Sequence, residues 1–86
     1  MAKVTIYTTR FCPYCVHAKQ LLSHKRADVD EIAVDGDRAM RAKLVDMTGG
    51  ATTVPQIWIG DRYVGGCDEL ITLDRRGELD QLLAAG

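Results

Sequence analysis

The sequence contains no apolar run near the roughly 18–20 residues that a membrane-spanning helix needs. Its first residues, MAKVTIYTTR, are too polar for the apolar centre of a signal peptide. Lys and Arg number 11 against 12 Asp and Glu, so no basic excess favours nucleic acid or an acidic membrane surface. We therefore expect a cytoplasmic protein that has neither nucleic acid nor a membrane as a partner.

Cysteine is also scarce, with three residues that are too few for a secreted disulfide scaffold. Two of them, Cys12 and Cys15, lie in FCPYC. A structural disulfide between such close neighbours would remove little chain entropy, because the loop is tiny. A closed zinc site needs four ligands, and only Cys67 and His17 remain after the pair. A working dithiol is the better interpretation, and we expect no metal site.

The chain predicts one domain, residues 1–86, with an α/β fold and the order β-α-β-α-β-β-α-α. The sequence alternates in the first strand as a half-buried strand does, and Pro13 suits the first turn of a helix. Strands are predicted at 3–8, 29–34, 56–59 and 63–64, and helices at 13–25, from 37 to about 47, at 68–73 and beyond Gly77, with 48–53 as a connector. Two βαβ-type segments and a hairpin predict a four-stranded mixed sheet with helices on both faces.

The two cysteines of FCPYC are not equivalent. Cys12 lies where the first strand meets the first helix, near backbone N–H groups that have no intrahelical partner. That end of a helix carries partial positive charge, so it stabilises a thiolate in a way that it does not stabilise a thiol. Cys15 lies about one turn further on the same face, close enough to bridge, and inside the turn. This placement predicts an exposed nucleophile and a resolving thiol that cycle through thiol–disulfide exchange.

Two further motifs accompany FCPYC, namely TTVPQIWIG at 52–60 and GGCDEL at 65–70. Together the three resemble the glutaredoxin family of the thioredoxin-like fold, and in particular its short bacterial members with a dithiol CPYC centre. The resemblance covers nearly the whole chain. It implies a glutathione-dependent thiol–disulfide oxidoreductase that reduces protein disulfides and glutathione mixed disulfides through Cys12 and Cys15, as an electron donor in cell redox homeostasis. It also implies glutathione as co-substrate without a bound cofactor.

The partners that the resemblance implies are glutathione and disulfide-containing or glutathionylated proteins, with ribonucleotide reductase as a family candidate; we expect a monomer. In the glutathione site, the resemblance implies that Thr53, Val54 and Pro55 carry a cis proline beside the cysteines. A proline that opens a strand leaves the preceding backbone free, so Val54 can pair with an extended peptide such as glutathione. Tyr14 is expected to flank the glutathionyl sulfur. Without the family, Pro55 would be read as a plain turn at the start of a strand.

The resemblance places the γ-glutamyl end of glutathione at Gly66, Cys67 and Asp68. Glycine allows a ligand close to the backbone, and the N–H groups of the helix that follows suit a carboxylate. Asp68 would take the neighbouring ammonium group, although it can also act as a helix cap. The backbone of Cys67 would be useful there, with its sulfur a small buried group.

Arg10 is where the sequence departs from the family pattern. Many glutaredoxins carry a lysine three residues before the first cysteine, whereas this chain has Thr9 there and a cation at Arg10. Because this stretch is a loop, a long guanidinium side chain can still reach a carboxylate. We therefore expect Arg10 to replace the lysine; the alternative is a solvated arginine.

Two rival functions remain open from the residues alone. The first is an iron–sulfur carrier in which two protomers share a cluster through Cys12 and glutathione, and Pro13 argues against it because cluster-assembling family members tend to have a small residue there. The second is a redoxin that thioredoxin reductase reduces and that does not use glutathione. GGCDEL argues against this second function, since Asp68 has a clear role toward glutathione.

Overall fold

Strands and helices follow one another along residues 2–85, the part of the chain that the computed structural model describes. The strands are β1 (Lys3–Thr8), β2 (Asp28–Ala33), β3 (Gln56–Ile59) and β4 (Arg62–Gly65), and the helices are α1 (Pro13–His24), α2 (Arg38–Thr48), α3 (Cys67–Arg75) and α4 (Glu78–Ala84). This is the predicted order. None of these helices, in the described part of the chain, is long and apolar enough to cross a membrane.

The sheet is mixed, as predicted, with the strand order β2-β1-β3-β4. Strand β1 is parallel to β2, with Val4 opposite Val29, and antiparallel to β3, with Ile6 opposite Ile57. Only the first of the two predicted βαβ-type segments is therefore a parallel crossover. The second returns the chain along the other side of β1 in the opposite direction, which the sequence did not predict because hydrophobic alternation carries no strand direction.

Each face of the sheet has its own hydrophobic cluster, because neighbouring residues of a strand point to opposite faces. On one face Ile6 packs with Ala18 and Leu22 of α1, and α3 and α4 complete the cluster. On the other face Tyr7 packs with Leu44 of α2. Helices therefore cover both faces of the sheet, as expected.

Most element ends lie within one or two residues of their predicted positions. Helix α2 continues to Thr48, predicted as connector, because the Thr48 hydroxyl donates to the carbonyl of Leu44 and Gly49 then ends the helix with φ of 77°. Helix α3 begins at Cys67 and continues to Arg75 rather than Leu73. Strand β2 begins and ends one residue earlier than predicted, and β4 is one residue longer at each end. Among the predicted site residues, Cys67 is the one that changes element, because it is the first residue of α3 rather than the residue before it.

Candidate active site

Cys12 is the residue that caps the N-terminus of α1. Its backbone is extended, with φ of −123° and ψ of 105°, and Pro13 occupies the first helical turn. The backbone N–H of Cys15 donates to Cys12 Sγ at 3.2 Å, and the Cys12 thiol donates to the carbonyl oxygen of Val54 at 3.6 Å. A sulfur in this position is directed at the free amides of the first turn, the end of the helix that favours negative charge.

Cys15 is buried, with 1% of its surface exposed. Burial, followed by the hydrogen bond with Cys12, raises the pKa of Cys15 to about 12, although the N–H of Thr9 and the positive charge of Lys19 act in the opposite direction. Cys15 therefore holds its proton at neutral pH, as expected for the inner thiol of the pair. Both cysteines are free thiols in this structure.

The loop before β3 lies directly beside this pair. The peptide bond between Val54 and Pro55 is cis, as the resemblance implied. Pro55 is buried, and the side-chain amide of Gln56 donates to the carbonyl of Thr53 at 2.8 Å, which holds the loop against the start of β3. Because β3 begins only at Gln56, the backbone of Val54 lies outside the hydrogen-bonded ladder of the sheet.

A cavity of about 260 Å³ opens between this loop and the N-terminus of α3. It is lined by residues from three segments that are far apart in the chain: Tyr14, Thr53, Val54, Pro55, Gly66, Cys67, Asp68 and Glu69. The structure thus brings together all the predicted glutathione-site residues except Arg10. A groove of this kind, next to Cys12, can hold a short peptide with its sulfur at the nucleophile.

The far wall of the cavity depends on two glycines. A Cβ on Gly65, where φ is 116°, would lie 2.7 Å from the Glu69 carboxylate, and a Cβ on Gly66 would lie 3.3 Å from the carbonyl of Pro55. The first helical hydrogen bond of α3 runs from Leu70 to Gly66, so the earlier amides of the helix are not used within it. This geometry leaves the backbone at the helix start accessible to a ligand.

Glu69 is a residue that the sequence interpretation missed. Its carboxylate accepts the backbone N–H of Gly66 at 2.7 Å, which holds the start of α3 against the cavity. Since glycine has no side chain, this is one half of a capping box. A glutamate three residues after a helix-capping position is a recognisable pattern, and it is present within GGCDEL.

Cys67 lies in the same wall but turns its sulfur inward, with 4% of its surface exposed. Burial, with a further contribution from the negative charge of Asp68, raises the pKa of Cys67. Asp68, by contrast, is exposed at the start of α3. The wall therefore offers a backbone and a carboxylate to a ligand, and a protonated thiol that is withdrawn from it.

Arg10 is the predicted glutathione-site residue that does not line the cavity. Its side chain is 77% exposed, and Nε lies 3.9 Å from Oδ1 of Asp35, which also accepts the Arg10 backbone N–H at 3.0 Å. The guanidinium carbon is 6.0 Å from the ring centre of Phe11. The role of Arg10 toward glutathione therefore stays a prediction.

Within residues 2–85, no group of three or more His, Cys, Asp and Glu side chains is placed to hold a metal ion. His17 and His24, the two histidines of the chain, are exposed on α1.

Comparison with known proteins gives a consistent result. The family model described as glutaredoxin matches residues 4–64. A glutaredoxin of Pseudomonas aeruginosa is 58% identical over 85 residues, covering 99% of this chain and 100% of that protein. Glutaredoxin 3 of Escherichia coli is 51% identical over 83 residues, covering 96% and 99%.

Solved structures agree with these relatives. The crystal structure of a buckwheat glutaredoxin–glutathione complex superposes with a TM-score of 0.89 at 30% identity, covering 96% of this chain and 77% of that one. The solution structure of a glutaredoxin from Brucella melitensis superposes with a TM-score of 0.84 at 46% identity, covering 96% and 89%. Four strands and flanking helices in this arrangement are the thioredoxin-like fold.

Proposed function

The chain belongs to the glutaredoxin family and is a thiol–disulfide oxidoreductase, and from this we propose that glutathione is its electron donor. The observation that carries the proposal is the cavity beside Cys12, which joins the cis-proline loop to the start of α3. The buckwheat protein of the same fold has been crystallised with glutathione. Glutathione mixed disulfides and protein disulfides are the proposed substrates.

The walls of the cavity offer complementary groups to the cysteinyl and γ-glutamyl parts of glutathione. The backbone of Val54, free of the sheet ladder, can pair with the extended cysteinyl part of glutathione as another strand would. The amides at the start of α3 suit the γ-glutamyl carboxylate, and the exposed carboxylate of Asp68 suits the adjacent ammonium group. Tyr14, which is 61% exposed, would lie against the bound sulfur.

In the proposed reaction with a glutathionylated protein, the Cys12 thiolate attacks the glutathione sulfur. A disulfide forms between Cys12 and glutathione, and the protein leaves as a thiolate that takes a proton from water. A second glutathione thiolate then attacks the glutathione sulfur on Cys12, releasing glutathione disulfide and regenerating the Cys12 thiolate. Every step is a two-electron exchange at sulfur, and no other oxidant is required.

With a protein disulfide, Cys12 first forms a mixed disulfide with the substrate. Cys15 then loses its proton and attacks Cys12 Sγ, so that the second substrate thiolate leaves and a Cys12–Cys15 disulfide remains. Glutathione reduces this disulfide in two further exchanges. The 3.2 Å contact from the Cys15 amide to Cys12 Sγ supports this route, because it places the inner cysteine next to the sulfur that it must attack.

The cysteine variants test the division of labour. We expect Cys12→Ser to abolish both reactions, and Cys15→Ser to keep removing glutathione from a glutathionylated peptide while losing the dithiol route. The assay couples glutathione turnover to NADPH oxidation through glutathione reductase. In a parallel assay, thioredoxin reductase replaces both glutathione and glutathione reductase. Reduction through thioredoxin reductase alone would contradict the proposal, and an inactive Cys15→Ser toward the peptide would reverse the assignment of nucleophile and resolver.

The remaining proposals concern the cellular location of the protein and its protein partners. A glutathione pool of the kind this cycle needs is maintained in reducing compartments, which supports the cytoplasm as its location. Disulfide-containing and glutathionylated proteins are the proposed macromolecular partners, with ribonucleotide reductase as a candidate to be tested directly.

A further inference from the structure

Two polar side chains from different elements, a threonine and a lysine, donate hydrogen bonds to the same carboxylate oxygen of a glutamate on a third element. The hydroxyl of Thr8, at the end of β1, donates to Oε2 of Glu31 on β2 at 2.7 Å. The ammonium group of Lys19 on α1 donates to the same oxygen at 3.0 Å. Thr8 is 1% exposed, whereas the side chains of Lys19 and Glu31 are 39% and 40% exposed. The cluster therefore links the buried end of β1 to the surface of α1.

This cluster lies next to the inner thiol. Lys19 follows Cys15 by four residues, so the two side chains occupy the same face of α1, one turn apart. On the other side, Thr8 directly precedes Thr9, whose backbone N–H acts to lower the pKa of Cys15. Helix, strand and loop thus bring one positive charge close to a thiol that the protein otherwise shields from water.

Among the side chains that act on Cys15, Lys19 is the one that favours its thiolate. Burial and the neighbouring Cys12 raise the pKa of Cys15, and the positive charge of Lys19 lowers it. Hydrogen bonds from Thr8 and Lys19 hold the pKa of Glu31 below its ordinary value, so Glu31 is ionised at neutral pH. An ionised Glu31 keeps the lysine in place, although its own charge offsets part of the effect of the lysine on the sulfur.

We propose that Lys19, held by Glu31 and Thr8, is a positioning residue for the steps in which Cys15 carries negative charge. The proposal rests on the thiol–disulfide cycle proposed above. When glutathione reduces the Cys12–Cys15 disulfide, its thiolate bonds to Cys12 Sγ, the Cys12–Cys15 bond breaks, and Cys15 takes the electron pair as a thiolate. When Cys15 closes the disulfide again, the same thiolate is the attacking group. A nearby ammonium group stabilises it in both directions.

Removal of glutathione from a glutathionylated peptide through Cys12 alone never requires a Cys15 thiolate. Lys19 should therefore affect the dithiol route selectively, which a residue that merely supports the fold would not do. The chain offers a matched control in Lys25, at the C-terminal end of α1, whose ammonium group contacts Asp74 at 2.9 Å and Asp80 at 3.0 Å. Replacing Lys25 removes the same charge and more ion pairs, far along the helix from Cys15.

The experiment compares Lys19→Met, Lys19→Arg and Lys25→Met with the parent. Each protein is oxidised to the Cys12–Cys15 disulfide and mixed with glutathione, and the opening of the disulfide is followed by acid quenching, alkylation and mass spectrometry. We expect Lys19→Met to open about 3- to 10-fold more slowly, the size for a nearby charge that is partly offset and partly exposed to water. Lys19→Arg should recover most of the rate, and Lys25→Met should match the parent.

A second measurement separates this role from a structural one. In protein glutathionylated on Cys12, Cys15 attacks Cys12 Sγ and releases glutathione. The pH profile of this release rate should shift to higher pH in Lys19→Met, because more alkaline solution is then needed to remove the proton from Cys15. When Cys15→Ser is also present, Lys19→Met and Lys25→Met should remove glutathione from a glutathionylated peptide at equal rates, because no Cys15 thiolate can then form. A difference that persists there, or equal opening rates for the two lysine variants, would overturn the proposal.

The result also separates this proposal from the proposed function. If the parent does not use glutathione, the proposed function fails, and the same comparison is made with dithiothreitol, since Cys15 still leaves as a thiolate when that reductant opens the disulfide. Equal rates for Lys19→Met and the parent with dithiothreitol would then refute the role of the lysine by itself.

Discussion

Replacing Asp68 by Asn should weaken the use of glutathione while leaving the sulfur chemistry intact. The change removes one negative charge and keeps the size of the side chain. Asp68 is exposed at the start of α3 and lines the cavity. We therefore expect KM for glutathione to rise with kcat little changed, because the contact with the ammonium group is made equally in the ground and transition states.

The magnitude follows from the exposure of the carboxylate. A hydrogen bond to a charged group contributes about 1.5–3 kcal/mol, and the lower end applies where water competes for the same group. Since about 1.4 kcal/mol corresponds to a tenfold change in affinity, KM should rise about tenfold. Loss of a negative charge at the start of α3 should also cost about 0.3–1 kcal/mol of folding stability, too little to unfold the protein.

The assay is steady-state reduction of a glutathionylated peptide across a range of glutathione concentrations, coupled to glutathione reductase and NADPH. Asp61→Asn is the matched control, because it removes the same charge from the exposed turn between β3 and β4. That turn lies at the other end of the sheet, where the N–H of Gly60 donates to the carbonyl of Lys3 at 2.7 Å. If KM for Asp68→Asn equals that of Asp61→Asn, Asp68 is only a helix residue and the proposed orientation of glutathione is wrong.

Two further predictions concern charges outside the cavity. Arg10→Ala should raise KM for glutathione about two- to fivefold if the arginine leaves its surface contact to bind a carboxylate, and adding Thr9→Lys should reverse the loss; kinetics that match the parent would make Arg10 a solvated residue. Thr8 and Lys19 hold the pKa of Glu31 below its ordinary value of 4.5, so the stability that this carboxylate contributes is present above that pH and is lost as pH falls through the lowered value. Denaturant unfolding of Glu31→Gln should therefore differ from the parent at about pH 7 and converge with it toward about pH 3, and a difference independent of pH would contradict the assigned ion pair.

The position of the third cysteine shows how the same residue type takes different roles in this fold. Cys12 caps a helix and is partly exposed, Cys15 is one turn further and buried, and Cys67 is buried behind the wall of the cavity. Their order along the chain does not distinguish a nucleophile from a structural thiol. The exposure of each sulfur to water does, since Cys12 and Cys67 both lie at the start of a helix.

Several features were predictable because they depend on neighbours in the chain. The order of the strands and helices follows from alternation in residues such as those of Lys3–Thr8, and from Pro13 and Gly77 at helix boundaries. The relation between Cys12 and Cys15 is likewise local, since three residues at the start of a helix bring one backbone amide to the other sulfur. Glu69 was also predictable in principle, from its spacing to Gly66.

The resemblance to a known family supplied what local patterns do not contain. The cis peptide before Pro55 is one such feature, because nothing in the sequence of a proline loop specifies that isomer. The assembly of the loop and the start of α3 into one cavity is another, since these segments approach each other only after both have packed on the sheet.

The amino-acid sequence by itself determined which segments form strands and helices, where the two closely spaced cysteines lie and which of their sulfurs meets a helix terminus. Only the tertiary structure decided the antiparallel direction of β3, the contact of Arg10 with Asp35, and the shared oxygen of Glu31 that holds Thr8 and Lys19. The physical reason is the separation along the chain between the residues that interact. Backbone periodicity and helix capping act over a few residues, whereas Thr8 and Glu31 are 23 positions apart. They meet because β1 and β2 pair in parallel, which places Glu31 opposite Ile6 on the face that also carries Thr8.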